Sequence, residues 1–126
     1  FLDSTVRAGN DINRKKLQAL LEEKGLKSSD SLAKPVVEQF RKDNPSLYAD
    51  VKIVADHIDH VVKLAGIDHV GIGSDFDGVG DSLPTGLKDV SQYPNLIYEL
   101  LKRGYSEEDI AKVCYKNVWR VWNAVE

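Results

Sequence analysis

Apolar residues recur along most of this chain at helical spacing. Ile12, Leu17, Leu20 and Leu21 predict a helix over about 12–24, with Gly25 as its stop, after a polar stretch Asp3–Asn10. Pro35 suits the first turn of a second helix, near 34–43, whose apolar face is Val36, Val37 and Phe40. Asn44-Pro45 ends it. Between Asp50 and Ala65, Val54, Ile58, Val61 and Ala65 form one stripe with Ile53, His57 and Leu64 beside it, an amphipathic helix closed by Gly66. Leu96, Ile97, Leu100 and Leu101 predict another helix near 92–103, stopped by Gly104. Ser106 to Asp109 resembles a capping box, opening a last helical stretch from Ile110 to Val125 with a break near Tyr115–Asn117.

One segment departs from this rhythm. His69–Ser74, HVGIGS, is short, apolar and rich in β-branched residues and glycine, and predicts a buried strand. The loop Asp75–Lys88, DFDGVGDSLPTGLK, follows it. A lone strand cannot satisfy its backbone polar groups without sheet neighbours. Phe1-Leu2 could end one such neighbour. A chain that begins at Phe1 and contains no methionine is expected to be a piece of a longer one, with the rest of the sheet in sequence outside it.

Composition narrows the field. Hydrophobic residues make up 42% and charged residues 29%, as in an ordinary globular domain. No apolar run is long enough for a membrane span, and no signal peptide is visible. The net charge of −3 and the scattered lysines and arginines argue against a nucleic-acid partner. Cys114 is the single cysteine, which excludes an internal disulfide and a multi-cysteine zinc site; its apolar context predicts a buried, inert thiol. Trp119 and Trp122 fit core packing. The compartment stays open.

Candidate chemistry concentrates in VGIGSDFDG. As a dinucleotide fingerprint it fails, because Phe76 replaces the third glycine and a turn-rich loop follows where a helix is needed. As a calcium loop, Asp75, Asp77, Gly80 and Asp81 match positions 1, 3, 6 and 7, but Gly86 stands where a bidentate Glu is required. The remaining reading places Asp75 at the C-terminal end of a buried strand, where α/β barrels carry catalytic groups. A simple turn cap, common for Asp near Gly, accounts for the pattern equally well. In ADHIDH, Asp56, His57 and His60 have spacings that can chelate a metal, although His57 also suits a packed core histidine.

The segments ADHIDHVVKLAGIDHVGIGSDFDGV, PTGLKDVSQYPNLIYELLKRGYSEEDIAKV and NVWRVWNAVE together resemble the C-terminal end of the renal (membrane) dipeptidase family of zinc metallopeptidases. The resemblance runs from about Ala55 to Glu126. It implies an α/β fold: the C-terminal fragment of a (β/α)8 TIM-type barrel, mostly helical here, with 69–74 as its eighth strand. Residues 1–126 would be a single segment, 1–50 a variable helical insert after strand seven and 51–126 the last helix–strand–helix units. The family's two zinc ions take their ligands from outside this segment, so no metal ligand is assigned to it. In the mechanism so implied, a zinc-bridging hydroxide attacks a dipeptide carbonyl and Asp75 relays the proton to the leaving amine. Asp77 and Gly78 would shape the adjoining substrate loop. The implied partners are a dipeptide substrate in the full-length protein and, as an assembly, a homodimer. Alone, the segment is expected to be inactive; the alternative is a helix-rich, non-catalytic interaction fragment derived from a barrel tail.

Overall fold

The computed structural model describes residues 3–126 and divides them into two compact units, Asp3–Leu47 and Tyr48–Glu126. The expectation for Phe1-Leu2 lies outside the described residues.

The first unit is a helical pair. Helix α1 spans Ser4–Glu23, so the polar stretch before Ile12 is helical as well. The reason is Asp3: its carboxylate accepts the amides of Thr5 and Val6 at 2.6 and 3.3 Å, which satisfies two orphan donors of the first turn. At the other end Gly25 takes φ 63°, the Gly25 amide bonds to Glu22 O, and the Leu26 amide reaches back to Leu21 O at 2.9 Å. These two bonds close a Schellman motif, the left-handed stop that the glycine was expected to provide. Helix α2 spans Ala33–Asp43, with Ala33 fully buried. Asn10 ties α1 to the end of the unit by pairing both ways with the Leu47 peptide, at 2.8 and 2.9 Å.

The second unit packs α3 (Val51–Ala65) against α4 (Tyr93–Lys102), with α5 (Glu107–Ala111) and α6 (Asn117–Val125) completing it. Asp50 caps α3 through the amides of Lys52 and Ile53. Ala55, Ile58, Val70, Leu87, Leu96, Leu100, Ile110 and Val113 form the core. The buried stripe of α3 is therefore centred on Ala55 and Ile58, rotated from the expected 54-58-61-65 line. The Ser106–Asp109 capping box forms in both directions, at 3.1 Å each way, with Asp serving where Glu is usual.

Further expectations change in this unit, that of a buried Cys114 among them. First, the break near 115–117 is absent: Lys112–Lys116 form a π-helical turn that joins α5 to α6 without interruption. That turn buries Val113 and leaves Cys114 exposed, although burial of its surroundings still pushes the thiol pKa up. Second, Trp119 and Trp122 are 59% and 56% exposed, and they pack edge to face on each other with ring centres 6.4 Å apart. The described residues of this unit supply no element to cover them. Val118, Val121 and Val125 share their exposure.

Third, 69–74 is not a strand. Ile67–His69 is a 3-10 turn, and residues 70–76 run as irregular chain. Val70 has extended dihedrals (φ −123°, ψ 142°), but among the described residues the one β-bridge is the isolated parallel contact Asp50–Thr85. A strand is defined by its neighbours, and among the described residues this segment has none. Its first turn is held instead by Asn117, whose side-chain amide donates to Ile67 O at 2.7 Å and Val70 O at 2.8 Å. Buried carbonyls thereby find a donor outside a sheet.

Arg103 locks α3 to α4. Its Nε donates to Glu99 at 3.1 Å, one terminal nitrogen donates to Asp56 and Asp59 at 2.7 Å each, and the other donates to Lys52 O at 2.9 Å. Tyr105 donates its hydroxyl to Asp59 at 2.7 Å. Burial pushes the Asp59 carboxyl up, but the bonds from Tyr105 and Arg103 outweigh it and hold the group below the usual carboxylate range. Burial, together with the Asp59 carboxylate, pushes Tyr105 up to about 12 from 10.0. A group whose pKa is raised by folding stabilises the fold below its unfolded pKa and loses that contribution as pH climbs to the folded one. The urea midpoint of the chain should therefore fall between pH 10 and about 12. In Tyr105→Phe the tyrosine's share of that alkaline fall should be lost, with a lower midpoint at neutral pH because Asp59 loses a donor.

Candidate active site

The loop carrying the candidate residues is fastened to the start of α4. Asn95 donates to Gly86 O at 2.9 Å, and Gln92 accepts the Lys88 amide at 2.6 Å. Tyr93, half-buried, shares a hydrogen bond with Ser74 and meets the Phe76 ring edge to face, centres 5.5 Å apart. Both neighbours of Asp75 thus rest on one tyrosine.

Asp75 is exposed and has φ 48°, the one non-glycine in the left-handed region among the described residues. Asp tolerates that region better than most side chains, yet it is sparsely populated and tends to mark turns and functional sites. The expectation that Asp75 closes a buried strand and faces a pocket is corrected: it follows irregular chain, and its carboxylate receives no hydrogen bond among the described residues. The walls of such a pocket would have to come from sheet neighbours that these residues do not include. Asp77 is also exposed, and Gly78 has φ 85°, a value only glycine adopts readily. Around Gly73 and Gly78 a Cβ would meet nothing within 4 Å, so the loop is open on that side. A cavity of about 450 Å³ does lie beside 68–71, lined by Val70, Asn117, Val121 and Trp122, but Asp75 is not part of its wall.

The ADHIDH cluster does not assemble. His57 and His60 are exposed, and Asp56 is drawn to Arg103. The core-histidine expectation for His57 is therefore wrong, because Ala55 and Ile58 occupy the buried face on either side of it. Among the described residues no three His, Cys, Asp or Glu side chains come together to hold a metal ion. The zinc implied by the resemblance does not fit the residues present here. Tyr93, which touches both neighbours of Asp75, is not singled out by the sequence.

The sequence pattern of the membrane dipeptidase family (peptidase family M19) matches residues 4–126. The chain belongs to that family. Among solved structures it is similar to a probable dipeptidase, PvdM, from Pseudomonas aeruginosa, at 33% identity and a TM-score of 0.60 over 89% of this chain. The chain spans 32% of the length of that protein. No helix among the described residues is long and apolar enough to cross a membrane.

Proposed function

We propose that this chain is the C-terminal part of a zinc-dependent dipeptidase, that it contributes Asp75 as the proton-relay group, and that it is inactive alone. The observation that carries this reading is the family match across residues 4–126, with GSDFDG inside it. In the whole protein the segment 69–74 would be the eighth strand of a (β/α)8 barrel, and the extended backbone of Val70 is compatible with that. Zinc would be held by residues outside this segment. Asp75 would accept a proton from the water that attacks the peptide carbonyl, then deliver it to the nitrogen as the C–N bond breaks. One water is consumed, and two amino acids leave. The exposed carboxylate and the open space by Gly78 leave room for a substrate, with Asp77 and Gly78 beside it.

The test is direct. The full-length protein should hydrolyse dipeptides and lose that activity to a chelator, whereas the 126-residue chain should neither hydrolyse them nor retain zinc. A full-length protein silent toward every dipeptide offered would refute the proposal. The exposed apolar face of α6 favours a second reading, a non-catalytic interaction fragment, and that silent outcome is the one it expects.

A further inference from the structure

We infer that Tyr93 is the positioning residue for Asp75, holding the reactive carboxylate by gripping the residues on both sides of it. The inference rests on the dipeptidase reading and deepens it. Among the described residues the Asp75 carboxylate has no hydrogen bond, so what these residues contribute to its placement they contribute through its backbone. That backbone sits at φ 48°, a sparsely populated conformation that Asp tolerates and that contacts on both flanks help to hold. The two flanking contacts both end on Tyr93: its hydroxyl on Ser74, its ring on Phe76. Tyr93 is in turn fixed, because it opens α4, whose Leu96 and Leu100 are fully buried. Gln92 and Asn95 hold the far end of the same loop to the same helix start. Tyr93 thus links the rigid core to both residues that flank Asp75, and Phe76 also packs on that core directly. Catalytic groups displaced by about 1 Å can lose on the order of a hundredfold in rate, which sets the scale of the effect.

The experiment uses the full-length, zinc-loaded protein and a dipeptide. Tyr93→Phe keeps the ring and removes the hydroxyl; Ser74→Ala removes the other half of the same bond. Each should lower kcat about tenfold with KM within about twofold, and the double variant should be no worse than the poorer single. Tyr93→Leu, which also loses the ring, should approach a hundredfold loss. The pH dependence of kcat separates placement from mere folding. A smaller folded fraction lowers the rate at every pH alike, whereas a displaced general acid–base group also moves a limb of the kcat–pH profile. If Tyr93→Leu fails to fold, the Tyr93→Phe and Ser74→Ala pair still decides. Wild-type kcat and an unmoved limb in both, alongside a crippled Asp75→Asn, would overturn the positioning role and leave the dipeptidase reading standing. A wild-type protein that cleaves no dipeptide removes the reading and this inference together.

Discussion

Asp75→Asn in the full-length protein should lower kcat for a dipeptide by about 10²- to 10⁴-fold, the range that a positioned acid–base group supplies. KM should barely change, since the carboxamide keeps the size and polarity of the side chain. The substitution is informative because of the backbone: Asn tolerates the left-handed region as Asp does, so the φ 48° turn survives. What the variant loses is the ability to take up and release a proton. Steady-state kinetics at several pH values would check it. A kcat within about threefold of wild type would remove Asp75 from the chemistry.

The largest stability effect belongs to the core of the second unit. Leu100→Ala should cost about 2–5 kcal/mol, because Leu100 is fully buried between α3 and α4 and its loss leaves a cavity the helices cannot close. Its neighbour Leu101 is exposed, and Leu101→Ala should stay within about 1 kcal/mol. Urea unfolding, with the midpoint shifting and the slope unchanged, distinguishes the two. Equal losses at both positions would mean that the buried face of α4 is assigned wrongly.

Periodicity alone could not make that distinction, since Leu96, Ile97, Leu100 and Leu101 all belong to one apolar pattern. It did place the helices themselves well: 34–43, 50–65 and 92–103 were expected, and Ala33–Asp43, Val51–Ala65 and Tyr93–Lys102 are found. Helices are legible because their hydrogen bonds and caps are local. The miss at 69–74 has the opposite cause, since a strand depends on partners distant in sequence. The apolar rings and three-residue spacing of Trp119 and Trp122 say what the side chains prefer and not whether a neighbour is there to meet them. In the candidate site, Asp75, Asp77 and Gly78 stood out through residue type, whereas Tyr93 acts by contact across nineteen positions and left no local sign.

The exposed pair on α6 has an optical consequence. The chain has two tryptophans, Trp119 and Trp122, and both stand on that one surface, Trp122 with its indole N–H on Glu126 at 2.8 Å. Indole fluorescence is therefore a reporter of this flank alone. It is red-shifted and open to a dissolved quencher while the flank is wet, and it moves to the blue when another surface closes over it.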